Sequence, residues 1–431
     1  MEVLRFPDRK EWNKITTRPD NDNSGIFDSV QSILDEVKAG GDKAVLKFGK
    51  KFDRAELDQL LVTENEIETA SKLVDEELKD AIRLAAKNIE TFHKTQVFEG
   101  QPVETAPGVR CWQKSVAIEK VGLYIPGGTA PLFSTVLMLA VPAKIAGCKE
   151  IVLCTPPSKD GTINPAILWT AHFVGVTSIF KAGGVQAIGA MAYGTESIPK
   201  VFKIFGPGNQ FVTAAKQLVS LKEVAIDMPA GPSEVEVIAD KDSNPAFIVS
   251  DLLSQAEHGE TSQVILVTDT EDLIAPVLYE LESQLSKLPR KDMARKAIAN
   301  SRMIVVKNTE EIVDITNLYA PEHLIIQSKN YSEIADKVIN AGSVFLGQYT
   351  PESAGDYASG TNHTLPTNGY ARAYSGVNLD SFTKKITFQE ITAQGLANIG
   401  PAIEKMAEAE QLMAHKNAVS LRLKDIEDSE K

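Results

Sequence analysis

The chain has 431 residues, of which 43% are hydrophobic and 24% are charged, an ordinary composition for a soluble globular protein. This length exceeds what one compact core usually accommodates, so it predicts two or more domains. The net charge of −13 argues against general binding to the phosphate backbone of a nucleic acid.

The sequence shows neither a secretion signal nor a membrane span. The first residues, MEVLRFPDRKEW, are charged and lack the apolar stretch of a signal peptide. No uninterrupted apolar run reaches the roughly 20 residues that a spanning helix needs. The cysteines, Cys111, Cys148 and Cys154, form no CxxC pair and indicate a reducing compartment. We therefore expect a cytoplasmic protein that binds neither nucleic acid nor membrane.

The N-terminal part of the chain has a mainly helical pattern. Residues 1–25 are polar, include a turn at residues 18–21, and are predicted to form an arm outside the core. A helical pattern covers residues 27–51. The TENE sequence at residues 63–66 has the form of a capping box, which opens a helix predicted to run to about residue 94. Loop and short strand follow over residues 97–115.

From residue 116 onward, short β-branched runs alternate with helical segments. The first series of predicted strands is VAIEKVGLYIP, EIVLCTPP, SIFKAGG, KVFKIFGPG and EVAIDMPAG. The second series is VEVIAD, QVILVTDT, RMIVVKN, HLIIQ and SVFLG. This alternation predicts βαβ units and an α/β fold with two Rossmann-like α/β/α units and parallel sheets. A Gly-, Thr- and Asn-rich loop up to about residue 374 and a charged helical C-terminal extension complete the chain.

The segment DLLSQAEHG is the first candidate for a functional site. It is predicted to end a helix that begins at the Asn-Pro pair before Ala246 and ends at Gly259. Asp251, Gln255 and His258 would share one polar face of this helix. The amide and the imidazole can reach one metal ion or one polar ligand. A solvated face that ends in a histidine is the alternative explanation.

Glu322 and His323 are adjacent at the start of a predicted strand, after Ala-Pro and before an apolar run. Neighbouring residues in a strand point to opposite sides, so the two side chains are predicted to have different roles. An acid and an imidazole would suit a reaction with two distinct proton transfers. A partly exposed strand edge is the alternative. His93 and His172 have no polar context and are interpreted as structural.

Later in the chain, further polar residues could join the same site. Asp356 lies in SAGDYASG as a possible ligand or an Asx-turn residue, and His363 in GTNHTLP allows the same two interpretations. His415 lies on a predicted helix, where a surface position is the alternative. Gln255, His258, Asp356 and His415 together offer O, N, O and N ligands, which suit Zn²⁺ or Mn²⁺ in an open site.

Glycine-rich turns lie at the carboxyl ends of strands in the first series, namely YIPGG, KAGG and FGPGN. Open α/β sheets bind ligands at this edge. None of the turns is a G-x-G-x-x-G motif, so nucleotide binding and turns that merely require positive φ both explain the glycines. The sequence contains no G-x-S-x-G elbow and no P-loop, and the cysteines are interpreted as packing residues.

Six motifs together resemble the histidinol dehydrogenase family over nearly the whole length. They are YIPGGTAPLFSTVLM, FGPGNQFVTAAK, IDMPAGPSEV, DLLSQAEHG, YAPEHL and SAGDYASGTNHTLPT. The run IDMPAGPSEV followed closely by DLLSQAEHG is long and specific. The resemblance implies oxidation of L-histidinol to L-histidine through L-histidinal, with two NAD⁺ and a bound zinc, in the last steps of histidine biosynthesis.

The resemblance also implies the roles of individual residues. It implies zinc ligands at Gln255, His258, Asp356 and His415, with one zinc ion per subunit. It implies an acid/base pair at Glu322 and His323, and NAD contacts at Tyr124, Gln186 and Asn209. It implies substrate contacts at Ser233, His363 and Glu410, in addition to His323 and the zinc ligands.

Members of this family are homodimers in which the C-terminal region of one subunit completes the site of the other. This would explain why Glu410 and His415 lie in a charged helical tail. The predicted division of the chain is an arm (1–25), a substrate and zinc domain (26–120 with 235–375), an NAD domain (121–234) and a dimerisation tail (376–431).

Two alternative functions stay open on the sequence alone. A relative of the family could oxidise a different small alcohol, with the zinc ligands and the Glu-His pair retained. A zinc hydrolase would use metal-bound water and no nucleotide. A zinc-binding protein without catalysis leaves Glu322 and His323 unexplained.

Overall fold

The computed structural model describes residues 1–19, 24–127, 130–229 and 231–429. Part of the predicted turn at residues 18–21, the last glycine of YIPGG and the alanine before Gly231 lie outside the described residues. The chain forms two compact units, one of Met1–Gln96 with Ile118–Phe382, the other of Val97–Ala117 with Thr383–Lys431. No helix in the described ranges is long and apolar enough to cross a membrane.

The described residues form the following elements. The strands are β1 (Glu2–Arg5), β2 (Val103–Ala106), β3 (Val109–Ala117), β4 (Lys120–Tyr124), β5 (Glu150–Thr155), β6 (Ser178–Lys181), β7 (Lys203–Phe205), β8 (Ala225–Ile226), β9 (Glu234–Ala239), β10 (Gln263–Thr268), β11 (Arg302–Val305), β12 (His323–Ile326), β13 (Ser343–Leu346) and β14 (Thr383–Ile391). The helices are α1 (Trp12–Ile15), α2 (Phe27–Phe48), α3 (Glu64–Leu73), α4 (Glu76–Lys94), α5 (Phe133–Ala146), α6 (Pro165–Val174), α7 (Gly184–Tyr193), α8 (Gln210–Ser220), α9 (Pro245–Ala256), α10 (Ile274–Leu285), α11 (Lys291–Ala299), α12 (Thr309–Tyr319), α13 (Tyr331–Ala335), α14 (Glu352–Tyr357), α15 (Ala393–Ala409) and α16 (Met413–Ser429).

A five-stranded parallel sheet has the order β6-β5-β4-β7-β8. Its central strands are continuous apolar runs because helices cover both faces of the sheet. Residues of α3, α4, α5 and α6 pack on one face, and residues of α2, α7 and α8 pack on the other. The chain leaves β4 for β5 on one side and later reaches β7 on the other, so the direction of winding changes at β4.

A six-stranded parallel sheet has the order β1-β11-β10-β9-β12-β13. Helices α9, α10 and α11 supply the core on one face. Apolar residues of α1, α12 and α13 supply the core on the other. The two parallel sheets with helices on both faces confirm the α/β fold class that the alternating pattern predicts.

Three local predictions differ from the structure. Residues 2–5 are not part of an arm, because β1 pairs with β11 at the edge of the six-stranded sheet. The helix predicted over residues 63–94 is two helices, because Val74 is extended and Asp75 caps α4 by accepting from the Leu78 N–H. The capping box at Thr63 is confirmed. Helices α2, α3 and α4 pack mainly on the five-stranded sheet, although α4 also contacts residues 235–375 where Asn88 Nδ2 donates to the Ala358 carbonyl at 2.8 Å.

The second unit contains an antiparallel sheet of order β14-β3-β2 and the helices α15 and α16. The nine-residue strand β14 is absent from the sequence-based prediction. Its side chains are almost all exposed in this chain, so it lacks the buried apolar run by which the other strands were found.

Candidate active site

The residue Glu234, at the start of β9, holds both members of the Glu322–His323 pair through its backbone. Its N–H donates to Glu322 Oε2 at 2.8 Å, and its carbonyl oxygen lies 3.1 Å from His323 Nδ1. The carbonyl can only accept, so Nδ1 carries the proton and Nε2 is the unprotonated nitrogen of the neutral ring. Pairing of β12 with β9 in the sheet brings these groups together.

The prediction that Glu322 and His323 point to opposite sides is wrong. Glu322 Oε2 lies 3.6 Å from His323 Nδ1, and both side chains are buried. The strand β12 begins only at His323, so Glu322 precedes the strand and escapes its alternation of side-chain directions. Both groups therefore reach one site.

An ion pair anchors Glu234 from the N-terminal segment. Arg18 Nε lies 2.5 Å from Glu234 Oε1, and Arg18 Nη2 lies 2.8 Å from Oε2. The same guanidinium donates to the Tyr319 carbonyl at 2.7 Å and stacks on the Tyr319 ring. Glu234 is almost fully buried, so its carboxylate has lost its hydration. The bidentate ion pair with the arginine offsets this desolvation cost.

Two carboxylates on the short helix α14 face this pair. Glu352 and Asp356 are four positions apart in sequence, and they form a group with His258 in which one ligand atom of each lies within 4.8 Å of the others. His323 Nε2 is 3.8 Å from Asp356 Oδ1. Glu352 is absent from the sequence-based site, although the i, i+4 spacing of two acids in ESAGD could have indicated it.

Gln255 is buried at the end of α9 and contacts the same group. Its amide nitrogen donates to Glu352 Oε1, and its oxygen accepts from the Glu234 N–H at 2.9 Å. The helix ends at Ala256, earlier than predicted, with Glu257 as its C-cap, and the His258 N–H bonds the Gln255 carbonyl three residues earlier at 3.2 Å, in a tighter turn. His258 therefore lies beyond the helix and is exposed, rather than on the helical face with Gln255.

Burial dominates the electrostatics of the site. It raises the pKa of Glu322 and of Glu352 well above the usual value, and the nearby Asp356 carboxylate adds to both shifts. Burial also raises the pKa of Asp356 to about 7 and lowers the pKa of His323 to about 3. A compact group of acids that resists ionisation without a cation is chemically suited to a divalent metal ion.

One buried atom indicates that a further polar ligand belongs in this site. His323 Nε2 has no hydrogen-bond partner among the described residues, although its side chain is only 5% exposed. An unpaired buried polar atom is costly, so a polar ligand atom belongs beside it. The oxygen and nitrogen donors of Glu352, Asp356 and His258 are of the kind that Zn²⁺ or Mn²⁺ accepts.

The remaining predicted substrate contacts fall into two groups. His363 lies against Asp356, with Nδ1 at 3.0 Å from the Asp356 carbonyl oxygen, and burial lowers its pKa to about 4. Ser233 and His258 line a cavity of about 1060 Å³. Glu410 and His415 are exposed residues of the second compact unit, so their part in the site stays a prediction.

The three predicted NAD contacts line one cavity of about 1030 Å³ at the carboxyl edge of the five-stranded sheet. Tyr124 ends β4, and its hydroxyl accepts from the Gly184 N–H at 3.0 Å. Gln186 lies in the first turn of α7, and Asn209 caps α8 by accepting from two N–H groups at 3.1 Å. The cavity opens beside β4, where the winding of the sheet changes direction, as ligand crevices of open α/β sheets do.

A glycine is required where this crevice is formed. Gly206 has φ of 126°, and a Cβ there would lie 2.0 Å from the Tyr124 carbonyl oxygen. The FGPGN turn thus allows β7 and β4 to end side by side. The geometric reason for this glycine does not by itself distinguish a nucleotide from another ligand.

Comparison with known proteins connects this geometry to one family. The chain matches the histidinol dehydrogenase family model over residues 16–423. It belongs to the histidinol dehydrogenase family. It is 66% identical to histidinol dehydrogenase of Bacteroides fragilis over 426 residues, which cover 99% of this chain and 100% of the relative. It is 52% identical to histidinol dehydrogenase of Escherichia coli strain K12 over 424 residues, 96% of this chain and 97% of the relative.

A solved member of the histidinol dehydrogenase family has the same fold. The crystal structure of histidinol dehydrogenase from Elizabethkingia anophelis superposes with a TM-score of 0.97 at 56% identity, over 99% of each chain. Against this family background, the first compact unit brings together Gln255, His258 and Asp356 of the expected zinc ligands. The fourth, His415, belongs to the other unit.

Proposed function

We propose that this protein oxidises L-histidinol to L-histidine through L-histidinal, with two NAD⁺, in the last steps of histidine biosynthesis. The observation that carries the proposal is the backbone of Glu234, which holds Glu322 and His323 beside the metal-ligand group. Membership of the histidinol dehydrogenase family supports the same substrate. A cavity able to hold a nucleotide argues against the alternative of a hydrolase that needs none.

His323 acts as the base in both oxidations. Its Nδ1–H is engaged by the Glu234 carbonyl, which leaves Nε2 to accept the proton of the substrate hydroxyl. The buried ring is neutral, so the lone pair of Nε2, which has no partner among the described residues, is available to the substrate hydroxyl. Nε2 also faces Asp356 at 3.8 Å, which places the accepting atom beside the proposed ligands.

Glu322 activates water between the two oxidations. Conversion of an alcohol to an acid removes four electrons as two hydrides, and it adds one water oxygen to the aldehyde. Glu322 is held by the Glu234 N–H, which orients one carboxylate oxygen in the site, and in its ionised form this carboxylate takes the proton from water. His323 then accepts the proton of the hydrate as the second hydride leaves.

The residues present fit both cofactors. Gln255, His258 and Asp356 would hold one zinc per subunit together with His415, and the buried Glu352 is a further carboxylate at this position. A zinc ion bound by these residues would help to fix the orientation of the substrate. Tyr124, Gln186 and Asn209 would contact NAD⁺, which accepts the hydrides. Gln186 Oε1 is buried without a hydrogen-bond partner among the described residues, so it is available to accept a hydrogen bond from a ligand in the cavity.

We further propose a cytoplasmic homodimer with shared active sites. Ser233, His363 and Glu410 would contact the substrate, with Glu410 and His415 supplied by the tail of a second copy. The exposure of both tail residues in the single chain is compatible with this arrangement.

The test is a count of NADH formed per L-histidinol at limiting substrate, before and after removal of metal by a chelator. About two NADH per substrate, lost on chelation and restored by zinc, is the expected result, because a four-electron oxidation requires that count. A count of about one would remove the water-activating role of Glu322. No NADH from folded, zinc-loaded protein would contradict the choice of substrate and favour a different small alcohol, or a hydrolase if NAD⁺ also fails to bind.

A further inference from the structure

A carboxylate that no motif indicates lies in the wall of the proposed nucleotide cavity. Asp53 follows α2, far in sequence from the strands that build the cavity, and its side chain is half-buried there. Asp53 Oδ2 accepts from Gln186 Nε2 at 3.3 Å. A Cβ on Gly183 would lie 3.1 Å from Asp53 Oδ1, so the carboxylate packs closely on the turn before α7.

The cavity has two distinguishable ends. Asn209 and Phe211 line this cavity and also the one that contains Ser233 and His258, so they mark the end nearest the proposed chemistry. Gln186 follows β6, which is three strand positions from β7 in the sheet, a separation of about 14 Å at the usual spacing. Asp53, bonded to Gln186, therefore belongs to the end away from the reacting substrate.

Hydride transfer fixes which half of the cofactor occupies each end. The nicotinamide must approach the substrate carbon closely, so it belongs at the end marked by Asn209. The adenosine half then extends toward Gln186 and Asp53.

The charges around Asp53 leave its carboxylate available. Burial raises its pKa to about 6, opposed by the hydrogen bond from Gln186, so it is ionised at mildly alkaline pH. Of the lysines close by in sequence, Lys47 pairs with Glu36 and Lys50 pairs with Glu56. Lys51, which also lines the cavity, has its Nζ over the Phe52 ring at 5.1 Å. A carboxylate in such a wall accepts hydrogen bonds from hydroxyl groups and repels phosphate.

We propose that Asp53 accepts hydrogen bonds from the ribose hydroxyls of the adenosine half and excludes a 2′-phosphate, so that the site selects NAD⁺ over NADP⁺. This inference rests on the proposed function. In dinucleotide-binding folds, an acid that follows the second strand commonly has this role. Here the acid comes from a segment that precedes the whole sheet, which is why a motif search for the fingerprint does not find it.

Calorimetric titration of the full-length protein at pH 8 tests the inference with four ligands: NAD⁺, NADP⁺, ADP-ribose and nicotinamide mononucleotide. In Asp53→Asn, the amide oxygen can still accept from Gln186, so the fold is retained. We expect roughly tenfold weaker binding of NAD⁺ and of ADP-ribose, unchanged binding of the mononucleotide, and a smaller preference for NAD⁺ over NADP⁺.

Glu56→Gln is the matched control, because it removes the same charge three positions away at an exposed residue outside the cavity wall. It should change none of the four affinities. Comparison of ADP-ribose with 2′-phospho-ADP-ribose on the unaltered protein tests the same idea without any variant. Equal affinity for these two ligands, or an unchanged preference in Asp53→Asn, would overturn the inference and leave the proposed function intact. Failure of the unaltered protein to bind NAD⁺ would overturn both, whereas binding of NAD⁺ without binding of ADP-ribose would overturn the inference alone.

Discussion

At the scale of single residues, the roles of Glu322 and His323 can be tested separately, because different backbone atoms of Glu234 hold the two side chains. Glu322→Gln should therefore impair the step that needs water while the first hydride transfer survives. We expect reduction of L-histidinal by NADH to retain most of its rate, and oxidation of L-histidinal by NAD⁺ to fall by about 10²–10⁴-fold, the usual contribution of a general base. Stopped-flow absorbance in both directions measures this. Equal losses in the two directions would contradict the role given to Glu322.

The pair of Arg18 and Glu234 should behave as a unit. Arg18→Met leaves the buried Glu234 carboxylate without its cation, and this should lower the free energy of unfolding by about 3–5 kcal/mol. The double variant with Glu234→Gln removes the stranded charge and should recover part of that loss. Urea denaturation of both single variants and the double variant gives the coupling energy. Additive effects would show that the pair does not stabilise the start of β9.

The burial of the Glu236 carboxyl predicts that the free energy of unfolding depends on pH. This carboxyl is fully buried, which raises its pKa from 4.5 to about 7. Because the folded state holds the proton more tightly than the unfolded chain, the stabilising contribution is present at low pH and is lost as the pH rises through about 7. Glu236→Gln mimics the protonated form, so at pH 8.5 it should be more stable than the unaltered protein by up to about 3 kcal/mol, with little difference below pH 4.5. Denaturation curves across this range measure it, with the exposed Glu68→Gln as control. A difference that does not change with pH would contradict the assignment.

At the scale of elements, the boundary between α3 and α4 depends on one cap. Asp75 accepts from the Leu78 N–H at 2.8 Å and opens α4 at a point where the apolar pattern alone suggests one long helix. Asp75→Ala should lower the free energy of unfolding by about 1 kcal/mol, the typical loss for an N-cap. Thermal denaturation detects this. Asp80→Ala removes an equal charge from the exposed face of α4 and should cost less than half as much. Similar losses in both variants would mean that Asp75 acts only as a surface charge.

The elements that the sequence predicts well share one physical property. Strands β4 to β7 and β9 to β12 are short apolar runs between helices, because parallel strands with both faces covered need no polar side. The edge strand β13 is also apolar in sequence, although Val344 and Leu346 are exposed. Strands β1 and β14 lack this signal. The pairing partner of β1 is about 300 positions away in sequence, and β14 is exposed along most of its length. Neither property can be read from a local pattern.

The residues of the candidate site also divide into those that a local sequence motif indicates and those that only the fold brings into the site. Gln255, His258 and Asp356 are predicted from their motifs, since polar residues beside Gly-rich or helical segments can be recognised in the sequence alone. Glu352 and Asp53 are not, because their significance comes from contacts with residues distant in the chain. Glu322 is identified from its motif, but its side-chain direction is not, because Glu322 precedes β12 and the alternation of side chains within a strand does not apply to it.

At the scale of the whole molecule, the two parallel sheets contribute different edges to the proposed function. The five-stranded sheet presents the carboxyl ends of its strands to the proposed nucleotide, whereas the six-stranded sheet presents the starts of β9 and β12 to the proposed metal and base. Asn209 and Phe211 line both cavities, so the first compact unit can hold a nucleotide and a substrate side by side. What this unit lacks is the fourth predicted ligand, His415, which lies in the other unit.

The proposed sharing of sites between subunits predicts complementation between two inactive variants. His323→Asn should inactivate a site by altering the part that the first unit supplies. His415→Ala should inactivate a site by altering the part that the tail supplies. If the tail of one copy completes the site of the other, a mixed dimer has one doubly altered site and one intact site. Coexpression of the two variants at equal levels should therefore give about a quarter of the normal turnover, because about half of the dimers are mixed and each has one working site.

The control pairs His323→Asn with His258→Ala, both in the first unit, which no exchange of tails can restore. Dimers purified through two different affinity tags isolate the mixed species, and their steady-state rate is measured with zinc present. Activity no higher than in this control would mean that each chain completes its own site, and the proposal of shared active sites would be abandoned.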